Sequence, residues 1–173
     1  MPSPPTRTER PETQRLVLRR WRVTDLAPFA RLNADPIGAR FLPSTLTRAQ
    51  SDAMERRSDS RFLGFVGLQE VPAALPCAPG VEIGWRLAPD AGGNGYATEA
   101  ATTVLAAAFE TLGLEEVVSF TARGNEPSIA VMRRIGMVAD AAGDFAHASL
   151  PTDPPLSLHV LYRAQRVTGA AAG

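Results

Sequence analysis

The sequence predicts a single domain of the α/β or α+β class, in which a central strand leads through a glycine turn into a long helix. Val81 to Leu87 alternates apolar and polar residues, which is the period-two pattern of a strand. From Tyr96 onward the apolar residues recur every three or four positions, as on one face of an α-helix. A chain of 173 residues is long enough for one domain with one sizeable core.

The elements ahead of the central strand are expected in a regular order. Residues 1–12 are polar and rich in proline, and we expect a disordered tail there. Leu16 to Val23 alternates as a first strand. Thr24 or Asp25 is expected to cap a helix that ends before Pro36.

The next segment is predicted to contain a second helix and a second strand. Thr47 is a candidate cap for a charged helix that runs to about Arg57. Phe62 to Gln69 is expected to form a strand, in which Gly64 and Gly67 allow another backbone to approach. The loop that follows carries three prolines and several apolar residues, so we expect it to be stiff and packed.

The elements after the glycine turn complete a crossover. Glu115 to Ala122 is an apolar strand, and a strand–helix–strand order implies that the two strands are parallel. Asn125 is expected to cap a third helix that Gly136 ends. Residues 137–163 are predicted to form a loop-rich antiparallel pair, and residues 167–173 a frayed tail.

Composition limits the classes of function. The formal net charge is zero and no basic face is evident, so neither nucleic acid nor a membrane is an expected partner. Cys77 is the only cysteine, which rules out an internal disulfide and fits a reducing cytoplasm. His147 and His159 are far apart in sequence and lack metal-ligand spacing, so no metal site is expected. These histidines are interpreted as packed residues, with a substrate-side role as the alternative.

The glycine turn, residues 92–95, suggests an anion site. A helix N-terminus carries unpaired N–H groups and a partial positive charge, and glycines leave room for a phosphate to reach them. A plain flexible turn is the alternative. The spacing fits neither a dinucleotide-binding fingerprint, because Thr98 stands where glycine or alanine is needed, nor a Walker loop, because no Gly-Lys-Ser/Thr follows.

The segment GNGYATEA, which begins at Gly93, resembles the acetyl-CoA pyrophosphate loop of the GCN5-related N-acetyltransferases (GNAT), whose pattern is Gln/Arg-x-x-Gly-x-Gly/Ala. It is most similar to the branch of bacterial ribosomal-protein N-terminal acetyltransferases. The resemblance extends from Thr13 to Arg163, and the first position of the pattern falls on Gly92. It implies one domain over residues 13–166, with a mixed, mostly antiparallel sheet that splays into a cofactor cleft.

The resemblance also implies a set of cofactor residues. Gly84 is the expected site of a bulge, because glycine inside a strand often marks one and the family has one in this strand. The bulge would leave backbone groups free for the pantetheine arm of acetyl-CoA. The residues so assigned are Trp85, Leu87, Gly93, Asn94, Gly95, Tyr96, Ala97, Thr98 and Asn125.

Two residues are candidates for the chemistry. A glutamate on a strand is more often a solvated surface residue, but the resemblance implies that Glu82 is the general base, commonly through water. Asn125 and Ser128 read as ordinary helix capping, but in the family they can contact pantetheine and the leaving sulfur. Met132 stands where many members of the family have a tyrosine that acts as the general acid. Because methionine cannot donate a proton, Ser128 is the nearest hydrogen-bond donor.

The resemblance implies transfer of acetyl from acetyl-CoA to a primary amine, on a protein N-terminus or a small molecule, through a ternary complex. The alternative is a CoA-binding sensor that has lost catalysis. For either function, assembly as a homodimer is left open. The family places a further strand before Phe62, but only four residues separate Phe62 from Arg57. Either that strand is missing or the second helix supplies it, and we favour a missing strand.

Overall fold

The protein is built on an eight-stranded sheet. The computed structural model describes residues 12–34, 51–147 and 157–167. The sheet order is β1-β2-β3-β4-β5-β8-β6, and β7 also pairs with β8. The strands are β1 (Leu16–Arg19), β2 (Ser51–Arg56), β3 (Arg61–Glu70), β4 (Val81–Leu87), β5 (Glu116–Ala122), β6 (Val138–Ala139), β7 (Phe145–Ala146) and β8 (Leu158–Gln165).

Three helices accompany the sheet among the described residues: α1 (Leu26–Ala34), α2 (Tyr96–Glu110) and α3 (Glu126–Arg134). Helix α2 begins at Tyr96 as predicted, and Asn125 caps α3 by accepting from the Ser128 amide. The expected cap of α1 differs, because a 3₁₀ turn precedes that helix and both carboxylate oxygens of Asp25 bind the guanidinium of Arg19. No helix among the described residues has the length and apolar character needed to cross a bilayer.

Strand β2 overturns the prediction that a second helix runs to about Arg57. It pairs antiparallel with β1 on one side and with β3 on the other. The segment therefore supplies the strand that we expected to be missing, and the four residues 57–60 form the turn into β3. The preference for a missing strand was wrong and its stated alternative was right. Thr47, the predicted helix cap, lies outside the described residues.

The β2 segment forms a strand because its partners lie on β1. Glu55 is buried and its Oε2 accepts from Nε of Arg19 at 2.6 Å. Trp21 donates from Nε1 to the carbonyl oxygen of Ser51 at 3.0 Å. Buried polar groups need such partners, and they are distant in sequence. The local pattern of the segment consequently looks polar although most of its residues are buried.

The core has one large and one smaller apolar cluster beside the central strands. The larger cluster packs one face of the sheet against α2 and α3. The smaller cluster includes Val71, Leu75 and Cys77 from the proline-containing loop, so this loop is packed as predicted. The thiol of Cys77 is buried, and burial raises its pKa above the ordinary value.

Strands β4 and β5 are parallel, as predicted, but they separate after a short contact. Their only registered pair is Glu82 with Val118, and the hydroxyl of Ser119 then donates to the carbonyl oxygen of Ile83 at 2.9 Å. No bulge causes the separation, because the β3–β4 ladder continues without a register shift and sets Gly67 opposite Gly84. The bulge predicted at Gly84 is therefore absent, although the predicted gap between the two strands is present.

Candidate functional site

A cleft of about 940 Å³ follows the gap between β4 and β5. It is bounded by the two strands and by the first turns of α2 and α3, which place both helix N-termini at the same opening. Ten of the eleven predicted site residues line it, and Asn94 does not. These ten are Glu82, Trp85, Leu87, Gly93, Gly95, Tyr96, Ala97, Thr98, Asn125 and Ser128.

The loop before α2 requires its glycines. Gly93 and Gly95 have φ of 76° and 78°, a region that glycine adopts without steric cost. Asn94 holds the turn, because its side-chain amide donates to the carbonyl oxygen of Gly92 at 2.9 Å. Asn94 therefore shapes the loop, and its predicted contact with the cofactor stays a prediction.

The N-terminus of α2 has no side-chain cap from the described residues. The first intrahelical bond runs from the Glu99 amide to the carbonyl oxygen of Gly95 at 3.0 Å. The amides of Tyr96, Ala97 and Thr98 precede it, so they have no partner within the helix. Three such amides and the positive end of the helix dipole suit an anionic ligand.

Arg15, which the sequence did not point to, fixes this loop from the N-terminal segment. Its Nε binds Oε2 of Glu99 at 2.7 Å, its Nη1 donates to the carbonyl oxygen of Asn94 at 2.9 Å, and the guanidinium lies 4.8 Å from the ring centre of Tyr96. Burial opposes ionisation of Glu99, but hydrogen bonds from Thr13 and Arg15 hold its pKa below the ordinary value. No local pattern could have indicated a contact across about 80 residues of sequence.

The backbone of β4 presents polar groups to the gap. The carbonyl of Ile83 is directed toward β5, because it accepts from Ser119. Backbone polar groups alternate between the two edges of a strand, so those of Trp85 and Leu87 face the same way. Beyond the single registered pair, these groups have no ladder partner on β5.

Glu82 lies on the cleft wall with only 9% of its surface exposed. Gln69, its cross-strand neighbour, donates to Oε2 at 2.6 Å. Burial raises the pKa of Glu82 to about 7, against the opposing effect of the hydrogen bond from Gln69. The interpretation of Glu82 as a solvated surface residue is therefore wrong. The sequence analysis did not identify Gln69, because its pairing with Glu82 spans a ten-residue loop and cannot be read from the sequence.

Asn125 and Ser128 share the first turn of α3 but differ in how they are bonded. The Oδ1 of Asn125 accepts from the Ser128 amide at 3.4 Å, and its Nδ2 donates to Oγ1 of Thr121 at 2.8 Å. Ser128 lines the cleft, and its hydroxyl makes no hydrogen bond to any residue that the structure describes. Met132, where a tyrosine acid would stand, is buried beside it.

The two histidines are brought together, with ring centres 5.1 Å apart. His159 lines the cleft and His147 lies behind it. Burial lowers the pKa of both rings, so both are neutral at pH 7. Within the described ranges no group of three or more His, Cys, Asp or Glu residues could hold a metal ion.

Comparisons with known proteins agree with this geometry. A family model described as "Acetyltransferase (GNAT) domain" matches residues 15–138. A curated relative, the uncharacterized N-acetyltransferase YnaD of Bacillus subtilis (strain 168), is 39% identical over 56 residues. That match covers 32% of this chain and 33% of the relative, so the chain aligns with about a third of that protein's length.

Solved structures show the same fold over most of the chain. A GNAT-family acetyltransferase from Bacillus anthracis has a TM-score of 0.74 at 20% identity and covers 89% of this chain and 96% of its own. A ribosomal-protein-S5-alanine acetyltransferase from Vibrio fischeri has 0.70 at 14%, with 92% and 98% covered. A spermidine N-acetyltransferase from Vibrio cholerae, solved with CoA and spermine, has 0.70 at 16%, with 88% and 96% covered.

Proposed function

Because the chain belongs to the GNAT family of acetyltransferases, we propose that it transfers the acetyl group of acetyl-CoA to a primary amine in a ternary complex. The observation that carries this proposal is the buried carboxyl of Glu82, which lies on the same cleft as an uncapped helix N-terminus. One site therefore combines a base suited to neutral pH with a place for phosphates.

The uncapped helix N-terminus supports binding of CoA phosphates in this cleft. The amides of Tyr96, Ala97 and Thr98 would receive the pyrophosphate, and Gly95 adds no side chain of its own in front of them. Along β4, the backbone groups of Trp85 and Leu87 would pair with the amides of the pantetheine arm. Asn125 fixes the first turn of α3 and lines the cleft, and its side-chain amide keeps one further donor and one further acceptor that would contact the pantetheine arm.

The reaction needs one bond formed, one bond broken and one proton moved. The amine nitrogen attacks the thioester carbonyl carbon, the carbon–sulfur bond breaks, and the amine loses a proton. We assign that proton to Glu82, directly or through one water, because a base with pKa near 7 is partly ionised at neutral pH and holds a proton well. The departing sulfur leaves as a thiolate, and the hydroxyl of Ser128 would donate a hydrogen bond to it.

No covalent enzyme intermediate enters this scheme. Cys77 is the only cysteine of the chain, and its raised pKa makes it a poor nucleophile. Direct attack within a ternary complex is the simplest route that the described residues support.

The acceptor is proposed to be a small-molecule amine or a protein N-terminus. Similar folds occur in a spermidine N-acetyltransferase and in a ribosomal-protein-S5-alanine acetyltransferase, which act on these two kinds of amine by name. Substrate-binding loops vary more than the sheet, so the fold alone does not select between them.

The test combines turnover with binding. Acetyl-CoA is incubated with a panel of amines and short peptides, and both thiol release and the mass of the acetylated product are measured. We expect acetylation of at least one amine and a CoA-dependent rise in Tm. A rise in Tm with no turnover on any acceptor would favour the CoA-binding sensor instead. Ser128→Ala should slow turnover less than Glu82→Gln does, if Ser128 only supports the departing sulfur.

A further inference from the structure

The face of the sheet that carries Glu82 forms an acceptor wall, which we define as Phe65, Gln69, Glu82, Phe120 and His159. Strand β3 sets Gln69 beside Glu82 and places Phe65 on the same face, four residue pairs further along the β4 ladder. Val118 is registered with Glu82, so Phe120, two residues on, shares its face, and β8 sets His159 opposite Ala122. All five residues line the cleft.

The β5 side of the acceptor wall is a fixed aromatic surface. Phe145 stacks on His159 with centroids 5.7 Å apart and planes at 23°, and Phe120 meets Phe145 edge-on at 5.4 Å. The Nδ1 of His159 lies 3.2 Å from the carbonyl oxygen of Ser157. A carbonyl can only accept, so Nδ1 carries the proton of a neutral ring. His159 is 2% exposed and therefore has little freedom to turn.

The cleft offers little to a second positive charge. Among the described residues that line it, the only carboxylates are Glu82 and Glu99. Glu99 is bound by Arg15, and Glu82 is bound by Gln69 and required for the reacting amine. A second ammonium against the described part of the cleft would lose its hydration without a free carboxylate to pair with, which is unfavourable at low dielectric.

We propose that the acceptor is a monoamine with an uncharged aromatic or apolar body, and that His159 is the specificity residue whose ring contacts this body. The proposal rests on the proposed acetyl transfer and narrows its substrate class. Flat rings pack well against aromatic faces, so an aromatic body gains most from the acceptor wall. A polyamine has no ring to pack against the acceptor wall, and burying its second charge is unfavourable.

Three amines distinguish the effect of a second charge on the acceptor from the effect of the shape of its apolar body. Butylamine and 1,4-diaminobutane share a carbon chain but differ by one ammonium group, and benzylamine replaces the chain with a ring. We expect kcat/KM, calculated on the free amine, to be at least about tenfold lower for 1,4-diaminobutane than for butylamine, and about tenfold higher for benzylamine. A preference for 1,4-diaminobutane or spermidine, or for a peptide N-terminus over benzylamine, would overturn the proposal.

A matched pair of variants tests His159. His159→Leu removes the ring at the cleft, while Phe145→Leu removes the ring stacked behind it, which does not line the cleft. Both should lower Tm. Only His159→Leu should bring the benzylamine to butylamine ratio of kcat/KM close to one, mainly through a higher KM for benzylamine. An unchanged ratio in His159→Leu, or an equal loss in both variants, would refute the assignment.

The outcomes also distinguish this inference from the proposed function. If no amine is acetylated although CoA raises Tm, acetyl transfer fails and the inference falls with it. If amines are acetylated but charged acceptors are preferred, acetyl transfer stands and only the inference is wrong.

Discussion

Glu82 shows how burial turns an ordinary carboxyl into a base suited to neutral pH. The side chain lies on the central strand with one hydrogen-bond donor, Gln69, close to it. Removing water disfavours the carboxylate, and a single hydrogen bond does not compensate, so the pKa rises to about 7. The same shift that suits catalysis must cost stability when the group ionises.

This cost predicts a pH-dependent gain from Glu82→Gln. The folded protein holds the Glu82 proton up to about pH 7, while the unfolded chain loses it near the ordinary glutamate pKa of 4.5, so folding loses stability as pH rises across this window. Glutamine resembles the protonated acid and does not titrate. We expect similar free energies of unfolding at pH 5, and a variant more stable by up to roughly 3 kcal/mol at pH 8. The two free energies are measured by denaturant unfolding.

An equal stability difference at both pH values would mean that Glu82 does not titrate in this window. The comparison needs no substrate, so it tests the environment of Glu82 independently of the proposed reaction.

Gly95 offers a matched pair for the phosphate loop. Its φ of 78° disfavours most side chains, but asparagine and aspartate tolerate this conformation best. Both side chains would lie beside the guanidinium of Arg15, whose Nη2 is 3.4 Å from a Cβ at this position, so the free energy of unfolding of each variant is measured before the affinities are compared. Aspartate adds a negative charge beside the proposed pyrophosphate site, so calorimetry should show at least about tenfold weaker CoA binding than for the asparagine variant. Equal CoA affinities of the two variants would show that this loop does not bind the pyrophosphate.

At the scale of elements, patterns within one segment were readable and pairings between segments were not. The boundaries of β4 and the start of α2 were predicted closely, because alternation, a glycine turn and helical periodicity are local signals. Strand β2 was mistaken for a helix because its buried Glu55 looks like a surface residue until Arg19 is placed beside it. Arg15 and Gln69 were missed for the same reason, since both act through contacts distant in sequence.

The close approach of β3 to β4 predicts the sensitivity of Gly64. A Cβ at this position would lie 2.0 Å from the carbonyl oxygen of Arg86, and φ is 148°. Gly64→Ala should therefore lower the free energy of unfolding by about 3 kcal/mol or more, because the backbone of β4 has to move. Gly124→Ala is the control, since a Cβ at that position would meet no described neighbour within 4 Å. Both variants are measured by thermal and urea unfolding. Equal losses of stability in Gly64→Ala and Gly124→Ala would contradict this prediction.

At the scale of the whole molecule, the gap between β4 and β5 joins the proposed cofactor side of the cleft to the proposed acceptor side. Helices α2 and α3 pack on one face, and the acceptor wall occupies the other. The positions of Glu82 and of the glycine turn at the cleft were predictable because the family resemblance marks single positions, and their roles stay predictions. The acceptor wall was not predictable, because it depends on the register of β8 with β5 and on rings from three separate strands.

The central claim is that Glu82 removes the proton from the attacking amine. The most direct measurement is the ratio of kcat/KM between the parent and Glu82→Gln from pH 5.5 to 10, with one amine and saturating acetyl-CoA, because the titration of the amine affects both proteins alike. We predict a ratio that rises through about pH 7, reaches about 10²–10⁴, and shrinks again as the free amine becomes abundant. CoA affinity should be equal in the two proteins. A ratio near one across the whole range would contradict the account and remove Glu82 from the mechanism.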